Sequence, residues 1–100
     1  MKTLFVLNRS WHESVWLFEQ MAFASENDSI LLIEDAVLSL QGPITLASFL
    51  AKCSAMDINV FALQDDCRLR GIDNKYSSIT IVDYPGYVDL LVNSDKQVAW

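Results

Sequence analysis

The stretch Thr3–Leu7 (TLFVL) runs straight into Asn8-Arg9-Ser10. The same pattern returns three times: Ile30–Ile33 (ILLI) into Glu34-Asp35, Val60–Leu63 (VFAL) into Gln64-Asp65-Asp66, and Ile79–Val82 (ITIV) into Asp83-Tyr84. Short runs of β-branched and aliphatic residues without polar alternation read as strands buried on both faces. The stretches between them are long enough for helices, so the strands are expected to lie parallel in an α/β sheet. Ligands and chemistry in such sheets gather beyond the carboxyl ends of the strands. The four polar clusters are therefore expected on one rim, mostly carboxylate, with Cys67 as the nearby thiol. No glycine-rich phosphate loop and no Ser–His–Asp or Cys–His set accompanies them.

The connections follow from the strands. His12 or Glu13 to about Ser25 reads as a helix, and Glu26-Asn27-Asp28 turns the chain back. Ala36–Leu40 reads as a short helix. Gln41-Gly42-Pro43 reads as a turn, with Pro43 suited to the first position of a helix ending near Ala55. Asp65 or Asp66 is expected to cap a short helix through Leu69, stopped by Gly71. Pro85-Gly86 opens a last helix to about Val92, and Gln97–Trp100 reads as a fifth strand. The order is β-α-β-α-β-α-β-α-β with right-handed crossovers, in a single domain over residues 1–100.

Composition narrows the function. A chain of 100 residues that is 52% hydrophobic and only 20% charged has more apolar surface than a small monomer easily hides. A partner surface explains the excess; so does a sheet covered on both faces. The net charge of −6 and the lack of a basic stripe argue against direct nucleic-acid binding and against anionic membrane surfaces. No apolar run approaches the roughly 18–20 residues of a membrane span. Met1–Leu7 is too short for a signal-peptide core, so a cytoplasmic location is expected. Cys53 and Cys67 are not in CxxC spacing, which indicates neither a redox pair nor a zinc knuckle. No metal and no cofactor is expected.

The first helix carries two apolar stripes. At 100° per residue, Trp11, Val15, Leu17, Phe18, Met21, Ala22 and Ala24 fill one half of its wheel and suit the sheet. Trp16 and Phe23 lie seven residues apart on a separate stripe, flanked by His12, Glu19 and Gln20. Aromatic anchors of this kind suit a partner surface, or a neighbouring helix of the same domain covers them.

Each chemically suggestive residue has an alternative. Glu34-Asp35, with Asp65, Asp66 and Asp83, sits where acid/base catalysts or a metal could be held; the same acids serve equally as helix caps. Cys67 lies near a helix start, where the dipole and Arg68 and Arg70 favour thiolate while Asp65 and Asp66 oppose it. It is a candidate sulfur carrier or an inert small residue. Cys53 falls on the apolar side of its helix and reads as core. His12, the single histidine, has no cysteine or serine close in sequence.

Five segments together, TLFVLNRS, SILLIEDAV, FALQDDCRLRGI, VDYPGYVDLLV and the final VAW, resemble the DsrH/TusB family of small sulfur-relay subunits, nearly end to end. The resemblance implies a three-layer α/β/α fold of DsrE type with a mostly parallel sheet of about five strands. It also implies assembly with two paralogous subunits, TusC/DsrF-like and TusD/DsrE-like, as a heterohexamer. In such complexes persulfide sulfur arrives from TusA, rides on a cysteine of the TusD/DsrE-like subunit and passes to a TusE/DsrC-like protein. The end product is 2-thiouridine at the tRNA wobble position; in sulfur oxidisers the DsrEFH version serves sulfur metabolism. The B/H subunit is generally the non-catalytic one.

Three departures bear on this chain. Gln20 stands where some DsrH members carry a cysteine in the first helix. Ala36 stands where the family often has glycine after the Glu-Asp pair. By the Arg70-Gly71 pair, the paralogues' catalytic cysteine falls nearer Leu63 or Gln64 than Cys67. The expectation is therefore a scaffolding subunit without a catalytic site, whose interface includes Trp16, Gln20, Phe23 and Trp100. The alternative is a persulfide-carrying sulfurtransferase that uses Cys67.

Overall fold

A computed structural model of the chain describes residues 2–8, 27–41, 51, 53–73 and 78–99. The strands form where the apolar runs stand: β1 is Thr3–Leu7, β2 Ser29–Leu32, β3 Asn59–Leu63, β4 Ile79–Val82 and β5 Lys96–Ala99. They make one five-stranded sheet in the order β4-β3-β2-β1-β5, with every neighbouring pair parallel. β2, β3 and β5 each begin one residue earlier than the apolar pattern implies. Ile33 still donates its N–H to the Leu7 carbonyl at 2.9 Å, so the ladder outlasts the strand geometry by one residue.

Register lines up the core. Phe5 stands beside Ile30, Ile30 beside Val60, Val60 beside Ile79, and Val98 of β5 beside Phe5. Two residues on, Leu7, Leu32, Ala62 and Ile81 form the next row. With a side-chain period of two, these rows share one face, and they belong to or pack against one buried cluster. Ala36, Val37, Cys53, Cys67 and Ile72 close it from above. They come from a 3₁₀ segment Glu34–Gln41, from helical residues 53–55, from helix α1 (Gln64–Leu69) and from the strand-ward turn after it.

The last crossover goes the other way. The chain steps outward from β1 through β2 and β3 to β4, then crosses back to the far side of β1 for β5. With right-handed crossovers, reversing the direction of travel places the connecting helix on the opposite face. That helix is α2 (Tyr84–Val92), and it contributes no residue to the buried cluster. Its Leu90 instead lines a cavity of about 220 Å³ with Phe61, which points from β3 to the second face. The result is the three-layer α/β/α arrangement. Among the described residues no helix is long and apolar enough to cross a membrane.

Two helix ends follow from sequence. Asp83 is the N-cap of α2 and accepts the Gly86 N–H at 2.9 Å, with Pro85 in the first turn. α1 ends in a Schellman motif: Ile72 N–H bonds the Cys67 carbonyl at 2.9 Å and Gly71 N–H bonds that of Arg68 at 3.2 Å. Gly71 has φ +63°, which glycine adopts freely, and buried Ile72 packs back on the helix as the motif requires.

Candidate functional site

At the carboxyl ends of β2 and β3 the structure brings together Glu34, Asp35, Asp66, Cys67 and Arg70. The chain turns sharply after Ile33: Glu34 has φ +49°, in the left-handed region, which costs a non-glycine residue roughly 1–2 kcal/mol. The turn is held from both sides. Ala36 N–H returns to the Ile33 carbonyl at 3.0 Å, and Glu34 N–H donates to Asp66 Oδ2 at 2.8 Å. Ala36, two residues after the turn begins, is fully buried and packs into the core.

Asp66 therefore does not cap α1. The N-cap residue is Leu63, which has no side-chain acceptor, so the helix starts at Gln64, one residue ahead of Asp65 and two ahead of Asp66. This corrects the expected cap. The carboxylate of Asp66 is taken up by the Glu34 N–H and by Arg70 Nη1 at 3.4 Å. Arg70 also reaches the Asp66 carbonyl at 3.4 Å and donates from Nη2 and Nε to Asp35 Oδ1 at 3.1 and 3.3 Å. One guanidinium thus links Asp35 on the 3₁₀ segment to Asp66 on α1. Asp65 is exposed, and Asp83 is engaged in capping α2. Among the described residues no three acid, thiol or imidazole groups converge as metal ligands do.

Cys67 lies beneath this ionic lid. It is 5% exposed and packs in the main core with Ala36, Val37 and Ile72. Burial pushes its thiol pKa up; Asp66 pushes the same way, and Arg70 opposes them. The sequence set two arginines and a helix dipole, favouring thiolate, against Asp65 and Asp66, opposing it. In the fold desolvation is the larger effect, and the helix is only six residues long. The thiolate is what attacks persulfides and disulfides, and burial disfavours that form at Cys67. Cys53 is core, as its helical position implied.

Trp16, Gln20 and Phe23, the expected interface of the first helix, and Trp100 lie outside the described residues, as does His12. Sequence reading missed two features. Asp28 is a buried carboxylate at the amino end of the sheet, where its Oδ1 accepts the Thr3 N–H at 2.9 Å and ties β1 to β2. A cavity of about 410 Å³ opens at that same end, beside Asn27, Asp57, Asn59 and Ser78. It lies away from the carboxyl rim where parallel sheets place their chemistry.

The described residues form a five-stranded, all-parallel three-layer α/β domain, with Arg70 bridging Asp35 and Asp66 at the carboxyl ends of β2 and β3. Solved structures of similar fold carry little sequence identity and bear on architecture alone. A conserved protein of unknown function from Bacteroides thetaiotaomicron matches with a TM-score of 0.74 at 17% identity, over 98% of this chain and 94% of that one. The YchN protein from E. coli matches at 0.67 and 16% identity over the whole of both chains.

Sequence carries the relationship further. Residues 9–97 match the family described as DsrH like protein. Protein TusB of Photorhabdus laumondii is 33% identical over 78 residues, 76% of this chain and 78% of that protein. Protein TusB of Buchnera aphidicola is 30% identical over 98 residues, 97% and 99% of the two chains. The chain belongs to the DsrH/TusB family of sulfur-relay subunits.

Proposed function

We propose that this chain is a non-catalytic subunit of a cytoplasmic sulfur-relay heterohexamer. It assembles with TusC/DsrF-like and TusD/DsrE-like paralogues. The complex takes persulfide sulfur from a TusA-like donor and hands it to a TusE/DsrC-like acceptor, towards 2-thiouridine at the tRNA wobble position. The relatives named TusB favour this branch over sulfur oxidation. The observation that carries the non-catalytic reading is at the rim: Arg70 sits between two carboxylates, over a buried thiol whose pKa burial raises. Gln20, in place of the cysteine found in some relatives, supports it. On this reading Trp16, Gln20, Phe23 and Trp100 face the paralogues, and the chain acts as one domain.

The test is a reconstituted relay containing Cys53→Ser, Cys67→Ser chain in place of the native one. Thiolation at wild-type rate is expected, with a lowered melting midpoint from the hydroxyl placed at the Cys53 core position. Loss of sulfur transfer on Cys67→Ser alone, in an intact complex, would mean that Cys67 carries sulfur.

A further inference from the structure

By composition, α2 should be a buried element: in Tyr84–Val92 (YPGYVDLLV) the only charge is Asp89. A helix that is apolar on all sides is ordinarily covered on all sides, yet no residue of α2 is fully buried. At 100° per residue, Tyr87, Leu90 and Leu91 turn towards the sheet and are half-buried. The outward half carries Tyr84, Val88 and Val92 at i, i+4 and i+8, exposed by 60%, 41% and 76%. Pro85 lies beside them, also exposed.

We propose that this outward face of α2 docks a different subunit of the relay assembly, on an apolar patch that places a Lys or Arg opposite Asp89. The inference rests on the assembly reading above and names its surface. Charge selects the occupant. From Tyr76 to Asp95 the chain has no Lys or Arg, while Asp83 and Asp89 border the Val88 stripe. A second copy of this chain, itself at −6, would bring the same carboxylates against them. An anionic lipid surface meets the same repulsion. A cation on the partner turns that acidic border into specificity and a faster encounter.

The experiment uses the full chain and its co-expressed TusC/DsrF-like and TusD/DsrE-like paralogues. Affinity is measured for the wild type, for Val88→Asp with Val92→Glu, for Asp89→Lys and for Asp89→Asn. The two valines are exposed, so the free double variant should keep its melting midpoint. Its association should weaken about 100-fold, the scale of losing buried interface anchors. Asp89→Lys should weaken it about 10-fold, and Asp89→Asn should flatten the salt dependence. As a readout independent of folding, p-benzoylphenylalanine at position 92 should photocrosslink to a paralogue. The same residue at position 54, on the helix of the opposite face, should not.

Unchanged affinity in the double variant, with no crosslink from position 92, overturns the α2 surface and leaves the assembly reading standing. If the wild-type chain binds neither paralogue, the assembly reading fails and the docking surface with it. Self-association of the wild type that the double variant abolishes makes the occupant a second copy and overturns the proposal.

Discussion

Two regions of this domain treat their surface in opposite ways. At the carboxyl rim of β2 and β3, Asp35 and Asp66 are engaged on Arg70, the Glu34 N–H on Asp66 and Cys67 in the core, while Asp65 stays exposed. On the outward side of α2, apolar groups that suggest nothing chemical are left open: Tyr84, Val88 and Val92. On the proposed reading, the contrast marks where the subunit keeps its function. A rim that satisfies its own polar groups has little left for a substrate, whereas an apolar helix face without cover has an unmet driving force for association.

The contrast predicts that rim substitutions register in the stability of the free chain. The largest effect is expected for Asp66→Ala. It removes the acceptor that holds the left-handed turn at Glu34 and one of the two carboxylates on Arg70. Hydrogen bonds to charged groups contribute about 1.5–3 kcal/mol, and partial exposure here reduces that to about 1–2 kcal/mol. A denaturant melt of the free variant measures it. An unchanged midpoint would mean that water replaces the carboxylate at no loss, and the rim would then be an open surface after all.

How much of this was legible depended on sequence distance. The strands were, because an apolar run stopping at a polar cluster is a local signal; four runs located four strands within a residue. Asp83-Tyr84-Pro85-Gly86 and Gly71 marked helix ends for the same reason. The rim was only half legible. Asp66 and Arg70 are four apart on a helix, but Asp35 and Arg70 are 35 apart and meet only because parallel pairing sets the ends of β2 and β3 side by side. That same meeting withdrew Asp66 from capping α1. The outward face of α2 is written in its own nine residues, on the 3.6-residue period. The aromatic stripe of Trp16 and Phe23 lies outside the described residues.

A second prediction sharpens the rim through pH. Burial, reinforced by Asp66, raises the folded Cys67 pKa above its ordinary value of 9.0, and Arg70 only partly offsets this. The unfolded thiol therefore ionises first as pH rises. The stability linked to this group is fully present below about pH 9 and is lost as pH climbs through the raised folded value. Melting midpoints taken from pH 7 to 11 should fall more steeply for the native chain than for Cys67→Ser. Equal slopes, together with rapid alkylation of Cys67 in the native state at pH 7.5, would place the thiol in contact with solvent and reopen the sulfur-carrier alternative.

The smallest expected effect on the free chain carries the most weight for the comparison. Val92 is 76% exposed at the end of α2, so Val92→Ser removes almost no buried surface. Serine and valine differ little in helix propensity, and exposed substitutions away from caps and networks fall within about 0.5 kcal/mol of neutral. The free variant should therefore melt with the wild type while binding its paralogues more weakly. Such an outcome would place the contribution of Val92 in association and not in folding. A drop of about 1 kcal/mol or more in the free chain would contradict this, since it would mean that Val92 packs within the domain. The two regions would then differ only in polarity, and the outward face of α2 would be ordinary structure.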